Sequence, residues 1–464
     1  MSIENQIILN SELITQKLND HDFNYCIELL KEEFKLKRNN QNKPEPNIPS
    51  NQTIQIIGNI LAYLSAKISN AAENNTDYLL LAKQCFQSLR NSSVCGEQIQ
   101  NLIVDNKVIT DNSHRIFKAI VNKNDVNNTD CLKMELQFLC NVIVSNEKAQ
   151  ILVWNKFSDL LIEALSRPEA AHLAVLVIYN ILKLHNELLP NNVEFVCTIL
   201  SLYSDNIDNV PLLLELLICK NVISNVYNDL DSELRLTLLE NIYSMMIDDS
   251  IVIPCELIRV FVQHFKRKSD CILKTVVDYL KNIEPIEIAR LLDCISSASS
   301  KELYLPILQE DKSLLINCAF LLKSIHDIGK IGDNHFSSIQ KLSEINNANT
   351  AIQEHPGFGF KAALIRLLGN LCWDHKANQN LIRELDCIAL LMDCCNIDAR
   401  NPLIIQWVIL AMRNLCKDNL QNQTIIAQMS KVGVVDSATL REMGLTLHDD
   451  GTTKIGIAPL NLNK

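Results

Sequence analysis

The feature that most constrains this chain is a match to itself at a spacing of 44 residues. LIRLLGNLCWDHKANQNLI, from Leu364, and VILAMRNLCKDNLQNQTII, from Val408, agree at 8 of 19 aligned positions, among them Asn370/Asn414, Cys372/Cys416, Asp374/Asp418, Asn378/Asn422 and Gln379/Gln423. Each copy carries one helical apolar face: Leu364, Leu367, Leu368 and Leu371 in the first, and Val408, Ala411, Met412 and Leu415 in the second. Weaker copies of the same helix end at Asn91 (CFQSLRN), Asn141 (LQFLCN) and Asn180 (VLVIYN), and IQIIGN at Asn59 has the same form. A unit of this length is a few helices that cannot bury their apolar faces alone, so neighbouring units must stack.

Composition narrows the architecture further. Only 11 Gly and 12 Pro occur in 464 residues, too few for the many turns that sandwiches, barrels and doubly wound sheets require. The period lies in the armadillo and HEAT range, and the expected fold is an all-α, right-handed armadillo/HEAT-like helical repeat superhelix with a small C-terminal cap. Residues 1–342 are expected to hold N-terminal and middle repeats, with polar loops near 38–52 and 122–130. A polar linker at 343–359, the sharpest repeats at 360–430 and a cap or tail at 431–464 follow. The register between about 191 and 345 carries no clear marker. Asn401-Pro402 reads as an N-cap and first-turn proline for the second copy.

Net charge is −11, and Lys266-Arg267-Lys268 is an isolated basic cluster, so nucleic acid is not an expected partner. The start, MSIENQIILNSELITQ, lacks a cationic lead before an apolar core, so no signal peptide is expected. AAHLAVLVIYNILKL is interrupted by His172 and Asn180 and reads as a buried helix rather than a membrane span. Sixteen cysteines without a CxxC read as free thiols, mostly buried, which points to a cytoplasmic or nuclear place.

No catalytic, cofactor-binding or metal-binding set is expected. His326-Asp327 has the form of a phosphohydrolase metal pair but lacks further ligands, and reads as a polar helix end. Gly357-Phe358-Gly359 lacks the preceding strand and third glycine of a phosphate loop, and reads as a tight turn with Phe358 and Phe360 in the core. Cys394-Cys395 reads as one buried and one solvent-near thiol. The repeated asparagines have two readings. Their amides could face a concave groove and bond a peptide backbone, or brace adjacent helices within the array. One turn earlier, where peptide-binding importins place Trp, stand Arg366, Leu410, Gln137, Gln87 and Leu176. Trp407 reads as core and Trp373 as a possible exposed anchor. Arg366, Asn370, Trp373, Leu410 and Asn414 are therefore the candidate partner-binding groove.

The stretch from Pro356 to Cys416, with GFK, LIRLLGNLC, RELD and CCNIDARNP in order, resembles the C-terminal domain of the ataxin-10 family. CFQSLRN is similar to that family's first repeats, and the tail from Val435 also fits. The resemblance implies a non-catalytic armadillo scaffold without cofactors. It further implies association with cytokinesis and with neuronal survival and neurite outgrowth signalling. The partners it implies are O-linked N-acetylglucosamine transferase, signalling proteins and a second copy of the chain, at perinuclear, midbody or centrosomal places in the cytoplasm. The alternative is an armadillo transport adaptor carrying peptide cargo.

Overall fold

The computed structural model describes residues 11–34, 37–38, 44–45, 49–70, 76–276, 282–340, 350–429, 441–449 and 455–459. The chain divides into two compact units, Met1–Lys220 and Asn221–Lys464. The described part of the first holds α1 (Ser11–Asn19), α2 (Phe23–Glu33), α3 (Asn51–Asn70), α4 (Thr76–Ser93), α5 (Glu97–Asp105), α6 (Lys107–Ile120), α7 (Val126–Val142), α8 (Glu147–Ala164), α9 (Pro168–Leu182), α10 (Val193–Ser204) and α11 (Val210–Cys219). The described part of the second holds α12 (Val222–Val226), α13 (Ser232–Ile247), α14 (Cys255–Lys268), α15 (Ile283–Ala298), α16 (Leu305–Glu310), α17 (Lys312–Gly329), α18 (Thr350–Glu354), α19 (Phe360–Leu371), α20 (Lys376–Glu384), α21 (Cys387–Asp393), α22 (Ile404–Cys416) and α23 (Leu420–Gln428).

Both units are stacks of helices. In the first, α4 packs on α7 and α7 on α9, with α3 on α6 beside them. In the second, α13 packs on α15, α15 on α19 and α19 on α22. The apolar stripes read from the sequence supply these contacts: Leu364, Leu367, Leu368 and Leu371, and Val408, Ala411 and Leu415, are all buried. The only described strands are two antiparallel hairpins, Lys37–Arg38 with Pro44–Glu45, and Leu445–Asp449 with Ile455–Pro459. The second places two strands in the tail; residues 431–440, 450–454 and 460–464 of the expected cap lie outside the described residues.

Side-chain amides tie one repeat to the next in a fixed register. Asn414 Nδ2 donates to Gly369 O (2.9 Å), and Asn141 Nδ2 donates to Arg90 O (3.3 Å). Each acceptor stands one residue before the asparagine of the preceding repeat, Asn370 or Asn91. Nine residues after that preceding asparagine comes a glutamine. Gln379 Nε2 donates to Cys372 O, Asn414 O and Lys417 O at 3.3, 2.9 and 3.2 Å. Gln100 Nε2 donates to Ser93 O, Asn141 O and Val144 O at 3.3, 3.2 and 3.2 Å. The acceptors fall at matching offsets in both pairs. Asn419 closes the set by donating to Gln379 Oε1 (3.1 Å), as Asn146 donates to Gln100 Oε1 (3.1 Å). These carbonyls are ones that a helix leaves open at its C-terminal end.

The middle keeps the same device under other residues. Gln309 Nε2 donates to Leu371 O (3.3 Å) and Trp373 O (2.7 Å), and stands nine residues after Ser300. Asn370 Nδ2 in turn donates to Ser299 Oγ (2.9 Å) and Ser300 Oγ (3.1 Å).

Several local expectations are corrected. Asn401 and Pro402 do not begin the helix of the second copy: Leu403, with φ 61°, is its N-cap. Asn401 is buried instead, accepting from Ala362 N (3.2 Å) and donating to Asp398 Oδ2 (2.8 Å). The loop expected at 122–130 ends early, because Asp125 caps α7 by accepting from Asn128 N (3.0 Å). Within 343–359, residues 343–349 lie outside the described set, whereas His355, Pro356 and Gly357 are buried, and His355 Nε2 lies 3.1 Å from Thr275 O. Of the loop expected at 38–52, residues 39–43 and 46–48 are likewise outside the described set, and α3 already begins at Asn51. Phe360 is buried as expected, but Phe358 is only half-buried, since Gly359 (φ +74°) turns the chain between them.

Two tests follow. At Gly369 an added Cβ would stand 2.9 Å from both Cα and Cβ of Ala411, so α19 and α22 meet where only glycine fits. Gly369→Ala is expected to destabilise the second unit by about 1–3 kcal/mol, read by denaturant unfolding. Glu135 is fully buried; its Oε1 accepts from Ser113 Oγ (2.6 Å), its Oε2 has no partner, and burial pushes its pKa well above the usual carboxylate range. A raised folded-state pKa means that its contribution is whole below the unfolded value of about 4.3 and is lost as pH rises from there toward the folded value. Glu135→Gln should therefore gain stability over the native chain increasingly as pH rises from acid to neutral, and equal gains at both ends would refute the assignment.

Candidate partner-binding site

The candidate groove residues fall on α19, on α22 and just beyond α19. Arg366, Asn370 and Trp373 follow at i, i+4 and i+7, so one face of α19 and its end presents all three. Leu410 and Asn414 hold the matching positions on α22. The structure separates these residues into two kinds.

The asparagines are spent inside the stack. Asn414 is 2% exposed and its Nδ2 is held by Gly369 O (2.9 Å), which is the bracing geometry rather than that of an open amide. Asn370, half-buried, donates to two serine hydroxyls of the preceding repeat. Asn141 and Asn91 are similarly turned to Arg90 O and Phe34 O (3.3 and 3.5 Å). Asn180 alone is turned to a sulfur, Cys140 Sγ at 4.0 Å. Leu410 is half-buried and contributes apolar surface.

The cations and aromatics are different. Arg366 lies over the Trp407 ring, 4.9 Å from its centroid, and its Nη2 donates to Ser300 Oγ (2.8 Å). Trp407 is half-buried under that guanidinium rather than enclosed in the core. Trp373 is 38% exposed, with Lys417 4.2 Å and Arg413 5.9 Å from its ring centroid. Lys417 also pairs with Asp374 at 3.2 Å, whereas Arg413 is exposed and its guanidinium has no hydrogen bond or ion pair among the described residues.

The same pattern continues into α13 and α15, where the sequence had given no marker. Arg290 lies over the Tyr243 ring at 5.3 Å and pairs with Asp293 at 3.0 Å. Burial raises the Asp293 pKa to about 6, even though Arg290 and Arg366 both pull it down. Burial likewise depresses the Arg366 pKa, so this guanidinium has given up hydration while remaining charged. Tyr243, Arg290, Asp293, Arg413 and Lys417 were not singled out from the sequence. The available signal was two of only three tryptophans lying within a helical turn or so of repeat-register arginines.

The other chemistry considered leads elsewhere. Asp327 is exposed and does not meet His326; the imidazole Nε2 meets Asp393 Oδ2 at 2.8 Å instead, and Nδ1 lies 3.6 Å from Cys394 Sγ. Thiol, imidazole and carboxylate in line have the order of a nucleophilic triad. Yet Cys394 is 4% exposed and burial pushes its thiol up to about 11, so it stays protonated and enclosed. Cys395 is exposed, as expected of the pair, and among the other cysteines only Cys219 is. Among the described residues no group of three or more His, Cys, Asp or Glu side chains is placed to hold a metal ion. No single described helix is long and apolar enough to cross a membrane.

Comparison with known proteins agrees with this picture. The family model described as "Spinocerebellar ataxia type 10 protein domain" matches residues 360–458, which hold both sharp repeats and the tail hairpin. The chain is 29% identical to ataxin-10 of Homo sapiens over 413 residues, 84% of each chain, and equally so to ataxin-10 of Xenopus tropicalis. It is 41% identical to the ataxin-10 homolog of Dictyostelium discoideum over 103 residues, 22% of this chain and 17% of that one. Among solved structures it is similar to an engineered protein (14% identity, TM-score 0.33, covering 88% of this chain and 99% of that one) and to SYS-1 (13%, 0.30, 87% and 74%). In its C-terminal domain, and more weakly along most of its length, the chain is similar to the ataxin-10 family.

Proposed function

We propose that this chain is a non-catalytic scaffold that binds other proteins through the cation- and aromatic-lined face of its C-terminal repeats. The observation that supports this reading is the exposed Trp373 between Arg413 and Lys417, beside Arg366 on Trp407. Trp, Tyr and Arg are the side chains that dominate protein interfaces, because they bring large contact area at low entropic cost. The enclosed, protonated Cys394 fits a binding role better than a catalytic one. Resemblance to ataxin-10 supports roles in cytokinesis and in neuronal survival and neurite outgrowth signalling. It also supports O-linked N-acetylglucosamine transferase, signalling proteins and a second copy of the chain as partners. The transport-adaptor alternative loses its main support, since an adaptor needs the asparagine amides for cargo and here they are largely turned to the chain's own carbonyls and hydroxyls.

The test leaves the buried braces intact. Trp373→Ala with Arg413→Glu changes only exposed side chains, and the variant should melt with the native chain within about 0.5 kcal/mol. Affinity capture from dividing-cell lysate, probed for O-linked N-acetylglucosamine transferase, should lose a defined set of partners in the variant. An identical partner list for both proteins would remove this face as the binding site.

A further inference from the structure

Among the described residues, the charge on this face runs against that of the chain as a whole. The protein carries −11, yet Arg290, Arg366, Arg413 and Lys417 line α15, α19 and α22 in succession, each over an aromatic ring. The carboxylates in contact with them are Asp293 and Asp374. Asp374 is exposed at the rim, and Asp293 is the one lodged between Arg290 and Arg366. Arg290 and Arg366 stand over the Tyr243 and Trp407 rings, and the guanidinium nitrogens other than those on Asp293 and Ser300 remain as donors for a carboxylate.

The spacing suits an extended chain. Packed neighbouring helices lie about 8–10 Å apart, and alternate side chains of an extended peptide recur about every 7 Å. A strand crossing α15, α19 and α22 therefore brings a side chain to each helix in turn. We propose that this face docks an extended acidic peptide segment of a partner protein, with Asp or Glu carboxylates on Arg290, Arg366 and Arg413 and apolar side chains on Trp373 and Trp407. This inference rests on the scaffold reading above and names the chemistry of its partner. Asp293 is then a built-in competitor that occupies part of the arginine pair until the peptide arrives.

The test uses the full chain and a fluorescein-labelled decapeptide alternating Glu and Leu, with a Lys-Leu decapeptide as control, followed by fluorescence anisotropy. The Glu peptide should bind saturably and more weakly as salt is raised, and the Lys peptide should not bind. Arg290→Glu with Arg366→Glu should weaken binding by at least about tenfold. Because that variant could misfold, the deciding arm is Asp293→Asn, which removes only the competing charge and should tighten binding by about threefold. Equal binding of both peptides, absence of saturable binding, or an Asp293→Asn variant no tighter than the native chain would overturn the proposal. So would a phosphoserine peptide that binds where the Glu peptide does not. If the peptide fails while lysate partners still depend on Trp373 and Arg413, the acidic-segment inference falls and the scaffold reading stands; if both fail, neither stands.

Discussion

A helix that ends inside a stack leaves up to four carbonyls without backbone amides, and burying them unpaired costs about 1–3 kcal/mol each. This chain meets that constraint with side-chain amides that reach across the repeat boundary. Gln379 serves the end of its own repeat's helix at Cys372 and the next repeat's helix at Asn414 and Lys417 with one NH2 group. Gln100 does the same at Ser93, Asn141 and Val144. Because one residue bonds two repeats, the register between them is fixed by hydrogen bonding as well as by packing. Gly369 shows how closely the two are coupled: its missing Cβ lets Ala411 approach, and its carbonyl takes the Asn414 amide.

That use of the amides decides where recognition can happen. An asparagine buried with its NH2 on a carbonyl of the preceding repeat, as Asn414 is, is not presented to an incoming peptide backbone. What remains on the surface of the second unit is the row one or two turns earlier and just after, where Arg366, Trp407, Trp373 and Arg413 stand. On the proposed reading, these side chains would meet charge and apolar surface rather than main chain. Helical repeats of this kind thus separate two tasks that a groove-facing asparagine would combine.

Much of the architecture was legible in the sequence, because the 3.6-residue apolar stripe and the 44-residue match both report stacking directly. The middle was not, and the reason is visible at Ser300 and Gln309. A serine hydroxyl there takes the place of an amide, so the asparagine marker vanishes while the glutamine nine residues later keeps its work at Leu371 and Trp373. His185 similarly stands where Asn146 and Asn419 stand, with its Nε2 2.9 Å from Gln150 Oε1. The helix starts at Ile404 and Val126 were not read correctly, the first being expected at Pro402 and the second lying inside an expected loop, because Asn401 and Asp125 each had more than one way to satisfy a neighbour. Tertiary contacts chose among them, turning Asn401 inward to Ala362 and setting Asp125 as the cap.

The family-model match at 360–458 falls on the repeats that are joined through amides. Asn414 and Gln379 link adjoining repeats through side-chain amides, so a change at either would leave a buried carbonyl of the neighbouring repeat without that partner. Where a hydroxyl or an imidazole already serves, as at Ser300 and His185, either side can drift provided some polar group still reaches across. On the cationic face the internal partners are few: Arg290 lies over Tyr243 and pairs with Asp293, and Arg366 lies over Trp407 and donates to Ser300 Oγ. A half-buried arginine held mainly by a ring bears a desolvation cost with little return in folding. A carboxylate arriving from a partner is the group that would offset it.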